Sequence, residues 1–116
     1  MKIMAQDTVP KLFFQRVERY KERVALRKKE LGLWNKITWR EYGQRVRQVG
    51  MGLVALGLEP KDRVAIIGDS RPEWLYADLG NLSVNGISVG VYTTCSAEEV
   101  AYHLSHSEAR FFFVED

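Results

Sequence analysis

Three short apolar runs, Arg63-Val64-Ala65-Ile66-Ile67, Ile87-Ser88-Val89-Gly90-Val91-Tyr92 and Phe111-Phe112-Phe113-Val114, are separated by two segments that each open on a helix-starting signal. Nothing else in the chain constrains the fold as strongly. Near-continuous apolar runs of this length suit strands covered on both faces, as in a parallel sheet, whereas strands with one wet face alternate polar and apolar residues. After the first run, Gly68-Asp69-Ser70 turns the chain, Ser70 is placed to cap a helix, and Pro72 and Glu73 suit its first turn. This helix is expected to reach about Asn85, burying Leu75, Leu79 and Leu82 with Trp74 at one edge, before Gly86 ends it. After the loop Thr93-Thr94-Cys95, Ser96 with Glu99 makes a capping box that opens a helix to about Ser105. The order β-α-β-α-β with short connections implies right-handed crossovers and a parallel sheet, so the fold class is α/β.

The chain upstream of this unit reads differently. Asp7 or Thr8 and Pro10 start a helix over residues 9–20, with Val9, Leu12, Phe13, Val17 and Tyr20 on one face. Residues 23–29 and 33–38 read as a β-hairpin turned at Glu30-Leu31-Gly32. A long helix is predicted over 39–56. Thr38 and Glu41 form its capping box, each side chain meeting the other's backbone N–H. Trp39, Tyr42, Val46, Val49, Leu53 and Leu56 make its buried stripe, and Gly57 takes the C-cap position. Gly43, Gly50 and Gly57 recur every seven residues, a line of small side chains along which another backbone can approach. The chain thus divides into residues 1–60 (helix, hairpin, long helix) and 61–116 (the β-α-β-α-β unit). A third strand with no helix after it would leave sheet faces partly bare, the pattern expected of part of a larger domain.

Composition narrows the function classes. At 116 residues with 46% hydrophobic and 28% charged residues, a real core is possible and disorder is not expected. Lys plus Arg number 17 against 15 acids, a formal charge of +2, which demands no nucleic acid and at most a peripheral contact with a membrane. The basic residues Arg27-Lys28-Lys29, Arg40, Arg45 and Arg47 are interspersed with acids and read as solvated faces. The single cysteine, Cys95, makes neither an internal disulfide nor a cysteine-based zinc site, and fits a reducing, cytoplasmic setting. The first residues lack the apolar core of a signal peptide. The longest weakly polar stretch, 49–58, is about half the length of a membrane span.

Candidate chemistry is sparse. Gly50-Met51-Gly52-Leu53-Val54-Ala55 matches a loose dinucleotide fingerprint, but that motif works only at a strand-to-helix turn, and here it lies inside a helix. Glu99, His103 and His106 have the spacing of a helical metal face, yet His106 is expected beyond the helix end. Cys95 precedes a helix N-terminus but has no paired base. Ser70 is not in a Gly-x-Ser-x-Gly elbow, since Pro72 stands at the closing glycine. Asp69 ends a strand at the sheet edge where open α/β folds place ligands. Trp34, Trp39 and Trp74 read as packing residues. No catalytic, cofactor-binding or metal-binding residue is assigned.

The order of local strings is more specific than any of these. Val9-Pro10-Lys11-Leu12-Phe13, Arg23-Val24-Ala25-Leu26 and Thr38-Trp39-Arg40-Glu41-Tyr42 are followed by Lys61-Asp62-Arg63-Val64-Ala65-Ile66 and Asp69-Ser70-Arg71-Pro72-Glu73-Trp74. Then come Gly86-Ile87-Ser88-Val89-Gly90-Val91-Tyr92-Thr93-Thr94 and Glu98-Glu99-Val100-Ala101-Tyr102-His103-Leu104. Together they resemble the opening of the N-terminal domain of adenylate-forming enzymes, in particular the long-chain fatty acyl-CoA synthetases. The resemblance implies a ligase that joins ATP and a fatty acid into an acyl-adenylate, with Mg²⁺ neutralising the phosphates, and then passes the acyl group to coenzyme A. AMP leaves readily where a carboxylate oxygen does not. It also implies the remainder of the ligase chain as partner and a homodimer through the N-terminal region. The Ser/Thr/Gly-rich loop ending in Lys, the aromatic segment ending in Thr-Glu, and the hinge Asp and C-terminal Lys of that family are not in these 116 residues, so the chain alone is expected to be inactive. Tyr92-Thr93-Thr94-Cys95 lacks the proline often found in that loop. The alternative from the residues themselves is a stand-alone α/β nucleotide- or protein-binding module using the strand edge near Asp69 and Thr93 to Cys95. A small flavodoxin-like domain is disfavoured by the hairpin and long helix that precede the first core strand.

Overall fold

The computed structural model describes residues 8–69 and 71–114. Its elements in chain order are α1 (Val9–Tyr20), β1 (Val24–Glu30), β2 (Leu33–Thr38), α2 (Trp39–Ala55), β3 (Arg63–Ile67), α3 (Pro72–Ser83), β4 (Ile87–Val91), α4 (Ala97–Ser107) and β5 (Phe111–Val114). The β-α-β-α-β unit forms a parallel sheet in the order β4-β3-β5, and β1 pairs with β2 as a separate antiparallel hairpin.

The hairpin loop has two residues, and Glu30 pairs with Leu33 as a strand residue. Leu31 (φ 50°) and Gly32 (φ 79°) both take positive φ, the mirror-image turn whose twist matches its strands. Arg23 stays outside β1, its carbonyl accepting from the Trp39 N–H that opens α2. In α1, Thr8 supplies the cap, accepting from Lys11 N–H at 3.3 Å, while Asp7 lies outside the described residues. Only Phe13 of its expected apolar face is buried, and Val9 is exposed.

The two capping boxes form in one direction only. Thr38 Oγ1 accepts from Glu41 N–H at 3.2 Å, but its hydroxyl then donates to the Glu41 carboxylate at 3.1 Å. Ser96 and Glu99 repeat the arrangement. Helix α2 stops at Ala55, so Leu56 becomes the C-cap and is exposed rather than the end of the buried stripe. Gly57 (φ +100°) turns the chain, and Leu58 N–H donates back to Leu53 C=O at 3.0 Å while both leucines enter the core.

Helix α3 ends the same way, two residues before the expected Asn85. Asn85 takes the left-handed conformation (φ 64°), and Gly86 N–H donates to Asn81 C=O. Gly86 is therefore the residue after the reversal, and a Cβ there would run into Asn81 Oδ1. At the other end, the N-cap position falls on Arg71 without a side-chain cap, and Ser70, expected to cap, lies outside the described residues. Leu75 and Leu82 are only partly buried, and α3 instead buries Ala77, Leu79, Gly80 and Asn81. Helix α4 extends past Ser105 to Ser107, ended by left-handed Glu108, so it includes His106.

The core lies between α1, α2, α3 and one face of the sheet. Phe13, Tyr42, Val46 and Leu79 form one cluster, and Leu53, Leu58 and Val64 another. Burial pushes the Tyr42 hydroxyl up to about 12, with the charges of Tyr76 and Asp78 adding to the effect. Helices α2 and α3 touch backbone to backbone where Gly50 meets the Gly80 carbonyl and Gly80 meets that of Val46. Gly43 makes room for Val17 of α1. Two of the three heptad-spaced glycines thus admit a neighbour, while Gly57 serves the turn. Asp62 closes the opposite edge of the sheet: its carboxylate accepts from Glu59 N–H at 2.7 Å and from Arg110 at 2.6 Å, joining the turn before β3 to the start of β5.

Candidate functional site

Strand order decides where a ligand site can lie. From central β3 the chain crosses through α3 to β4 on one side, then through α4 back over β3 to β5 on the other. Right-handed crossovers in opposite directions put α3 and α4 on opposite faces. The loops leaving β3 and β4 therefore diverge, opening a crevice at the carboxyl ends of these adjacent strands.

The structure has a crevice of about 430 Å³ at that place, lined by Gly68, Asp69, Trp74, Gly90, Val91, Tyr92 and Thr93. A second space of about 300 Å³ continues from it between α3 and β5, over Ile66, Ala77 and Phe113. Asp69 and Trp74 line both. Asp69 is held by its loop: its carbonyl accepts from Arg71 N–H at 2.7 Å, just before α3 begins. Trp74 sits one turn into α3 and faces Gly90, where a Cβ would stand 3.9 Å from the indole. Gly90 pairs with Ile66, so the absence of a side chain there keeps the crevice floor low. A glycine inside a strand often marks such an approach. That is the sequence signal for Gly90, and the sequence marks Trp74 only as an edge packing residue.

Asp69 and Thr93, two positions expected at the strand edge, come together here. Tyr92 falls just outside β4 and is exposed at the rim. Cys95 turns away into a tight turn, its N–H donating to Tyr92 C=O, and is not part of the lining. His103 and His106 lie on α4, but both flank the exposed Tyr102 ring, His106 stacked on it at 5.4 Å and His103 edge-on at 5.8 Å. Among the described residues no group of three His, Cys, Asp or Glu side chains is placed to hold a metal ion. Gly50-Met51-Gly52 lies within α2, where Gly50 serves helix packing.

Sequence reasoning passed over Asn81. It is fully buried, and its Nδ2 donates to Ser88 Oγ at 3.0 Å, tying the end of α3 to the start of β4, while its Oδ1 has no partner among the described residues. An Asn within an otherwise apolar helix stripe was the only sign of it.

The sequence profile of the AMP-binding enzyme family matches residues 13–116. This chain belongs to that family. Curated relatives include the long-chain-fatty-acid–CoA ligase ACSBG2 of Xenopus laevis, 37% identical over 109 residues, and the long-chain-fatty-acid–CoA ligase FadD15 of Mycobacterium bovis, 38% identical over 84 residues. The matches cover 94% and 72% of this chain but only 15% and 14% of those relatives. Among solved structures, the N-terminal subdomain of Klebsiella oxytoca NpsA superposes with a TM-score of 0.82 at 27% identity, covering 93% of this chain and 27% of that one. IdnL1 also gives 0.82, at 19% identity over 93% of this chain and 23% of its own, a likeness of fold alone. The α/β architecture of this AMP-binding family member is therefore that of an adenylation-enzyme N-terminal subdomain. No helix among its described residues is long and apolar enough to cross a membrane.

Proposed function

We propose that this chain builds the opening N-terminal portion of an ATP-dependent fatty acid–CoA ligase, the larger protein forming an acyl-adenylate and then a thioester with coenzyme A. The observation that carries this reading is the continuous likeness to long-chain-fatty-acid–CoA ligases along 94% of the chain and 15% of the Xenopus relative. In this reading the chain is scaffold. Its sheet edge holds the β3 and β4 loops apart and offers one wall of a cleft. The same reading puts the protein in the cytoplasm, where Cys95 stays a thiol.

The crevice chemistry agrees with a wall rather than a reaction centre. The lining of the 430 Å³ crevice carries the Asp69 carboxylate and no Lys or Arg, and Arg71 lines the space that continues from it, so the crevice by itself offers no cationic cradle for a phosphate. No chemical step is derived on this chain's residues. Trp74, the Thr93 hydroxyl and the bare Gly90 floor instead suit an apolar or aromatic group with one polar edge.

The test has two arms. Incubated with ATP, Mg²⁺, a fatty acid and coenzyme A, the purified 116-residue chain should release no AMP above background; robust magnesium-dependent release would overturn the scaffold role. Reading the coding sequence past Asp116 should reveal a Ser/Thr/Gly-rich loop ending in Lys and a later aromatic segment ending in Thr-Glu. A native stop codon directly after Asp116 would overturn the ligase reading.

A further inference from the structure

The hairpin β1–β2 separates charges that are mixed in sequence. Residues opposite one another in an antiparallel pair share a face. Leu26 with Ile37, Lys28 with Asn35 and Glu30 with Leu33 make one face, and Arg27 with Lys36 and Lys29 with Trp34 make the other. The first face looks inward: Leu26 and Ile37 pack on the core, and Lys28 bridges Glu30 at 2.9 Å and Glu73 at 3.5 Å. The one acid within the strands is thereby engaged on the inner side. The other face carries Arg27, Lys29 and Lys36, all exposed and without an ion pair among the described residues, Arg27 also lining a cavity with Asp69 and Trp74. Between them stands Trp34, 62% exposed, with Lys29 Nζ 6.0 Å from its ring centroid.

The tip adds aliphatic surface. Leu31 is fully exposed and Leu33 is 72% exposed. Leu31 also occupies a positive-φ turn position (φ 50°), where Asn or Gly sits without strain. Turn chemistry therefore does not explain a leucine there, and packing within the chain does not either.

We propose that this hairpin tip docks on an anionic lipid surface. Leu31 and the Trp34 indole enter the boundary between headgroups and acyl chains, while Lys29 and Lys36 meet the anionic headgroups. Indole favours that boundary because one edge is apolar and the other hydrogen-bonds. The aliphatic tip selects a membrane over nucleic acid, since leucine side chains gain nothing against a phosphate backbone or a base edge. The inserted area is small, so attachment is reversible.

Flotation of the purified chain with vesicles tests this. The chain should float with phosphatidylcholine containing about 30% phosphatidylserine and not with phosphatidylcholine alone, and added salt should release it. K29Q/K36Q should weaken partition roughly 30-fold, at about fivefold per cation. L31N keeps the turn, because Asn accepts positive φ, and should weaken partition roughly tenfold by removing the apolar tip. These positions are exposed, so circular dichroism should match the parent in both variants, while melting should be unchanged in K29Q/K36Q and slightly higher in L31N, which relieves the positive-φ leucine. No flotation with anionic vesicles, partition unchanged in either variant, or displacement of the vesicles by DNA would each overturn the proposal.

Discussion

The contact between α2 and α3 makes one small substitution strongly diagnostic. A Cβ added at Gly80 would stand 2.6 Å from Val49 Cγ1, 2.7 Å from Val49 Cβ and 3.0 Å from the Val46 carbonyl oxygen. The methyl of Val49 can rotate aside, but its Cβ and the Val46 carbonyl are fixed to the α2 backbone. Relief requires the helices to part, which loosens Val46 and Leu79 in the shared core. Overpacking against rigid partners costs about 3 kcal/mol, and alanine returns roughly 1 kcal/mol of helix propensity. Gly80→Ala should therefore destabilise by about 2 kcal/mol, a fall in Tm of about 8 °C at roughly 4 °C per kcal/mol. Gly52 supplies the control: it lies in α2 with nothing within 4 Å of its added Cβ. Gly52→Ala should gain roughly 0.5–1 kcal/mol and raise Tm by about 2–4 °C. Thermal and urea unfolding of the three proteins give the comparison. If Gly80→Ala melts at or above the parent, or Gly52→Ala loses as much as Gly80→Ala, the close helix approach is wrong.

Two further outcomes follow from buried and bridging polar groups. Asn81→Asp puts a carboxylate in a site with no exposure and should destabilise by at least about 3 kcal/mol at neutral pH. Burial raises the folded pKa of that new group, so the penalty should fade as pH drops toward the ordinary carboxylate value; unfolding midpoints that keep the deficit unchanged in acid would refute the burial. Asp62 runs the other way. The Glu59 N–H and then Arg110 hold its carboxyl below the usual value of 3.8. Its contribution is complete at neutral pH and is lost as pH falls through the depressed value. Urea midpoints of Asp62→Asn should thus lie below the parent near neutrality and converge with it in acid, and a gap that is flat with pH would show that the bridge does not stabilise the fold.

What the residues reveal on their own is local. Helix α2 is legible because its stripe repeats at the helical period and Thr38 and Gly57 mark its ends, and all of this depends on neighbours within a few positions. The three sheet strands are legible because apolar runs of that length suit strands covered on both faces. Boundaries slipped where a cap geometry decides: Leu56 and Asn85 are apolar or polar residues like their neighbours, and only the backbone reversal after each helix shows which residue leaves it. The Asp69 edge is legible in the β-to-α turn, whereas its meeting with Trp74, Gly90 and Thr93 is not.

That meeting depends on strand order, which no local pattern encodes. The same β-α-β-α-β string could place β5 beside β4 or beside β3, and only the second choice makes adjacent loops diverge into a crevice. It is the packing of Phe111 and Phe113 with Leu53, Leu58 and Val64 that seats β5 beside β3. The same holds for Asn81, which is an unremarkable helix residue until α3 and β4 close over it, and for the hairpin, whose register alone turns Lys28 inward and leaves Arg27, Lys29 and Lys36 outside. Sequence determines the period and the ends of each element because these arise from interactions a few residues long. Which faces meet is decided by burial between elements far apart in the chain, and that became visible only once they were packed.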